Sequence, residues 1–142
     1  GLVGSEMCIR DRLRYMLQYS GLGEVIGDAV SSANLPIVVV AFVVAALVRI
    51  SVGSSTVAMT MAAGIVAALP GIAEFSLLYL ACTTAAVAGG ATVCSHFNDS
   101  GFWLVKSLVG MDEKTTLKTW TIMETLVGVT GFIVALIISM FA

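Results

Sequence analysis

The sequence predicts an all-α, polytopic membrane protein whose helices are broken or re-entrant. Three observations carry this. Of 142 residues, 58% are hydrophobic and only 11% charged, against about 25% charged in a soluble domain. The mean hydropathy is +1.02. The charges are also bunched: none occurs from Ala29 to Val48, Ile50 to Ala73, Phe75 to Asn98 or Thr125 to Ala142. Each gap is close to the roughly 20 apolar residues that a bilayer-spanning helix needs.

At the N-terminus, residues 1–12, "GLVGSEMCIRDR", differ in chemistry from the chain beyond Leu13 and look like translated sequencing-adaptor text. They are set aside, and the rest is expected to be a C-terminal fragment lacking its N-terminal half. Residues 13–32 are amphipathic and interrupted by Gly21, Gly23 and Gly27, as suits a hairpin arm partly entering the membrane. Residues 33–49 form the next helix: Pro36 opens a β-branched run, and Arg49 is expected to end it. In a membrane, unbroken apolar length favours helix over strand.

Residues 50–69, within "ISVGSSTVAMTMAAGIVAALPG", form a broken helix. Gly53, Ser54, Ser55 and Thr56 interrupt the apolar pattern, and a hydroxyl residue ahead of a helical run is an N-cap signal. Pro70-Gly71 stops it. Residues 72–94 form another helix, stopped or kinked near Gly89-Gly90. Its Ala81, Ala85 and Gly89 form a small-residue face suited to close helix approach. A short helix spans 101–109, and the hydrophilic loop "GMDEKTTLK" comes after it. The last helix covers 119–141, with Gly128, Gly131, Ala135 and Ser139 on one face and Trp120 placed as an interfacial anchor.

Two strings can carry chemistry. A helix broken inside a membrane bares N–H groups at the start of its second half, where the helix dipole also favours an anion. Gly53 admits a ligand to the backbone, and Ser54, Ser55 and Thr56 add hydroxyls; Arg49 lies beside them. The alternative is a kink whose hydroxyls only satisfy backbone groups, with Arg49 reaching to the interface. The second string, "SHFNDSGFW", holds the chain's single histidine, His96, beside Asn98, Asp99 and Ser100. Asp99 and His96 suit proton exchange, and Asn98 and Ser100 suit binding of hydroxyl groups. The alternative is a solvated Asn-Asp-Ser-Gly turn. Glu124, in the first turns of the last helix, reads as a structural residue favoured by the helix dipole.

The remaining chemistry is sparse. Cys8, Cys82 and Cys94 have no metal-ligand spacing and read as small hydrophobes. No phosphate-binding loop, triad or dinucleotide fingerprint occurs, so neither an enzyme nor a bound cofactor or metal is expected. No basic patch points to nucleic acid. The three lysines between Lys106 and Lys118 favour a cytoplasmic loop, although Arg49 leaves orientation open.

"LVRISVGSSTVAMTMAAGIVAAL" and "SHFNDSGFWLVKSLVGMDEKTTLKTWTIMETLVGVTG" resemble the C-terminal part of the gluconate permease family of proton symporters, and "YMLQYSGLGEVI" resembles the segment preceding them. The resemblance covers residues 13–142. It implies a multi-pass carrier of the bacterial cytoplasmic (inner) membrane that imports gluconate or a related small hydroxy acid with protons. It also implies one half of an inverted-repeat ion-transporter fold, with the Gly53–Thr56 break and the His96–Ser100 string close together. The partners implied are an organic anion, protons, the bilayer and the missing N-terminal half, and a homo-oligomer is compatible. A sodium-coupled anion carrier of the same superfamily and a noncatalytic membrane subunit are the other readings.

Overall fold

A computed structural model describes residues 35–67, 69 and 72–142, and among these every regular element is helical. The hairpin arm at 13–32, the adaptor-like residues 1–12 and Pro70-Gly71 lie outside the described residues. Helix α1 spans Ile37–Val52 and α2 Ser55–Ala67. A 3-10 turn at Ile72–Glu74 leads to α3, Leu77–Gly90, and α4 is Ser100–Val109. Helix α5 runs continuously over Glu113–Ser139, with a π turn at Leu117–Thr121.

Local chemistry sets these limits. Pro36 needs no N–H partner and its carbonyl accepts from Val39 (2.9 Å), so it opens α1 cleanly. The helix passes through Arg49 and ends three residues later. Gly53 adopts φ +76° there and returns its N–H to the Arg49 carbonyl, a left-handed C-terminal cap. Arg49 does not stop the helix: its side chain turns inward to the Gly53 carbonyl and Asp99 rather than out to an interface. Ser54 opens α2, its Oγ accepting from Val57 N (3.4 Å). Ser76 opens α3 in the same way through Tyr79 N (3.1 Å).

Helix α3 is the centre, packed between α1 and α5, with α2 against α1. The core is built of small side chains: Ala41 and Ala45 of α1, Ala58 and Ala62 of α2, Cys82 and Ala86 of α3, and Ala135 of α5. Small residues let the helix backbones approach closely. A Cβ on Gly89 would lie 2.8 Å from the Gly128 carbonyl oxygen of α5. A Cβ on the adjacent Gly90 would run into the Phe42 carbonyl of α1. Phe42 and Phe132 then stack across α3's end, ring centroids 4.2 Å apart.

The small-residue faces differ in phase from the expected ones. Ala81 and Ala85 are exposed, and the buried stripe of α3 is Cys82, Ala86 and Gly89-Gly90. On α5, Gly128 and Ala135 are buried but Gly131 meets nothing within 4 Å. Two glycines facing opposite partners fix α3's rotation, and spacing by fours could not show that.

Among the described residues large apolar side chains face outward along the helices, including Leu47, Leu77, Leu126, Val134 and Ile137, while Arg49 and Asp99 lie inside. That inversion suits hydrocarbon surroundings. Among the described residues, α5 alone is long and apolar enough to cross a bilayer.

Candidate functional site

Where α1 ends and α2 begins, the break is met by the turn between α3 and α4. Gly53 lies against this turn so closely that a Cβ there would collide with the Asn98 backbone carbonyl. Asn98 Nδ2 donates to the Ile50 carbonyl (2.8 Å), one of the acceptors left open at a helix C-terminus. The two polar strings therefore form one structure.

At its centre is an ion pair. Arg49 is 2% exposed. Its Nη1 donates to the Gly53 carbonyl (2.6 Å), and its Nη2 donates to Asp99 Oδ2 (2.5 Å). Asp99 is also buried. Its Oδ1 accepts from Gly101 N (2.9 Å), so it caps α4, and Ser95 Oγ donates to Oδ2. A buried carboxylate is tolerable only with this density of donors. Among the described residues the guanidinium's Nε has no partner.

Helix α5 supports the turn from the other side. Trp120 Nε1 donates to Ser95 Oγ (2.9 Å), and the Thr121 hydroxyl donates to the Ser95 carbonyl. Thr125 Oγ1 accepts from Cys94 N (3.1 Å). Cys94 itself has φ +56°, an uncommon left-handed conformation for a side-chain-bearing residue. The π turn contains Trp120 and Thr121, and such turns recur at functional sites.

The other expected residues surround this pair. Ser54 and Ser55 are half-buried and Thr56 is exposed in the first turn of α2. His96 Nδ1 is 2.8 Å from the Cys94 carbonyl, and His96 meets Asp99 through the backbone, its carbonyl accepting from Asp99 N (2.9 Å). Asn98 and Ser100 are exposed. Arg49, Gly53, Asn98 and Asp99 are thus joined directly, with Ser54 to Thr56 next in the chain and His96 and Ser100 flanking. Trp120 is half-buried on Ser95 instead of being a free interfacial ring. Sequence reasoning missed Ser95, Thr121 and Thr125. Ser95 opens the polar string, which was the available signal; the threonines carry none. Among the described residues no group of three His, Cys, Asp or Glu could hold a metal.

The profile described as "GntP family permease" matches residues 12–141. The low-affinity gluconate transporter of Escherichia coli K12 is 44% identical over 124 residues, covering 87% of this chain and 28% of that protein. A gluconate permease of Pseudomonas aeruginosa is 41% identical over 131 residues, 89% of this chain and 28% of its own length. The Gnt-II system L-idonate transporter of Escherichia coli K12 is 35% identical over 126 residues, 89% and 28%. The chain therefore spans little more than a quarter of these relatives, all of which are named as transporters or permeases. No solved structure matches it.

Proposed function

Because this chain belongs to the GntP permease family, we propose that it forms part of a multi-pass carrier of the bacterial inner membrane that imports gluconate or a related hydroxy-acid anion together with protons. The relatives named for gluconate and L-idonate support the substrate class. The single observation that carries the mechanism is the buried Arg49–Asp99 pair at a helix break.

Arg49 is the natural partner for a substrate carboxylate, since a guanidinium fork matches carboxylate geometry. Asp99 holds the guanidinium in the structure. An arriving anion competes with Asp99 for the guanidinium. The released Asp99 has lost its countercharge in a low-dielectric setting, so it takes up a proton, with His96 in the same turn as relay. Anion and proton then load together, which is symport. Gly53 and the first-turn N–H groups of α2, with the hydroxyls of Ser54, Ser55 and Thr56, receive the substrate's oxygens. Asn98 and Ser100 bind its hydroxyl groups from the facing turn.

The test is uptake of labelled gluconate by the full-length carrier in sodium-free proteoliposomes, acid outside. The proposal predicts accumulation driven by the pH gradient. Accumulation only with a sodium gradient would transfer the coupling to sodium, and no gluconate uptake under either gradient would reject the substrate. Ser55→Val and Thr56→Val each remove a hydroxyl donor, worth about 1.5 kcal/mol or roughly tenfold in KM, with membrane abundance unchanged.

A further inference from the structure

Helix α5 turns one stripe of residues toward the Arg49–Asp99 cluster. Trp120 on this stripe donates to Ser95, and Gly128, two turns on, packs against Gly89. Glu124 lies midway, four residues from each, so it shares their face. Thr121 and Thr125 beside it are tied to the Ser95 carbonyl and the Cys94 N–H, which fixes that face against the turn. Glu124 is half-buried. The charges that act on it are Arg49 from α1 and Asp99 from the turn, and α3 contributes no charged residue.

Within this cluster two groups are unmatched. Among the described residues the two ion pairs are Arg49–Asp99 and Lys106–Glu113, neither of which includes Glu124, and the buried Arg49 Nε has no acceptor. An orphaned buried donor on a charged group is costly, and a guanidinium has five N–H donors to distribute. A carboxylate supplies what that Nε lacks.

We propose that Glu124 is the alternate partner of Arg49, accepting its guanidinium when Asp99 releases it during transport. This role rests on the carrier function proposed for the chain and adds the group that keeps Arg49 from being left unpaired at the moment of exchange. Glu124 is a positioning residue: it acts through Arg49 and need not touch the substrate.

The experiment measures gluconate uptake kinetics for the full-length carrier with E124Q, E124D, R49K and the double variant R49K/E124Q. Failure of wild-type uptake would reject the carrier function itself, whereas the variants test only Glu124. E124Q is expected to lower kcat about tenfold with KM changed less than about threefold, E124D to recover much of the rate, and the double variant to be no slower than R49K alone. Wild-type kcat in E124Q, or losses that multiply in the double variant, overturns the proposal. Where E124Q is not inserted, E124N in the same cycle with R49K decides: non-multiplying losses support the coupling, and multiplying losses or a wild-type rate overturn it.

Discussion

Around Gly89 and Gly90, backbone meets backbone so that apolar helices can close on one another. A Cβ at either glycine would strike a carbonyl of α5 or α1. Around Gly53 backbone also meets backbone, yet there the contact closes over an arginine and an aspartate. In the first region small residues maximise dispersion contacts, the main force between helices in lipid. In the second they bring enough donors together to keep charge inside. A damaged seam loses packing, whereas a damaged crossing leaves an unpaired charge in the interior. The second failure is the more expensive.

The largest effect should therefore come from Arg49→Ala. It leaves Asp99 buried with its main countercharge gone, a loss of about 3–5 kcal/mol. Thermal unfolding of the detergent-solubilised full-length carrier checks this, and a drop no larger than that of a surface variant would remove the distinction between the regions. Next comes the seam. Gly128→Ala places a Cβ 2.5 Å from the Gly89 carbonyl oxygen and 2.8 Å from Val93, so α5 must back away, at about 1–3 kcal/mol. Gly131→Ala, one turn along and open, should be neutral or slightly stabilising, by up to about 1 kcal/mol from helix propensity. Equal melting shifts for these two would show that α5 does not seat on α3 through Gly128. A smaller loss, about 1 kcal/mol, is expected for Thr121→Val, which removes one hydrogen bond to the Ser95 carbonyl.

The same contrast separates what the sequence shows from what it hides. The all-helical character comes from charge-free length, and the break at Gly53 with Ser54 as cap was legible because Gly-Ser-Ser-Thr interrupts an apolar run. The phase of the small-residue faces was not. Ala81 and Ala85 match the spacing as well as Cys82 and Ala86 do, and only the opposed contacts of Gly89 and Gly90 choose between them. At the crossing, the polar residue types marked Arg49 and Asp99 as unusual, but their pairing spans 50 positions. Local signals cannot reach that far. Ser95 and Thr121 escaped for the same reason, since their importance lies in a contact made 26 positions apart.

In the proposed mechanism the Arg49–Asp99 pair couples anion to proton. Asp99→Asn tests it most directly, because the amide keeps the shape and one acceptor oxygen but carries no charge and cannot take up a proton. The measurement compares uphill gluconate uptake under an imposed pH gradient with gluconate exchange at equilibrium, in proteoliposomes holding the full-length carrier. D99N is expected to lose accumulation while retaining measurable exchange. Wild-type accumulation by D99N would contradict the coupling and reduce the buried pair to a brace for the helix break.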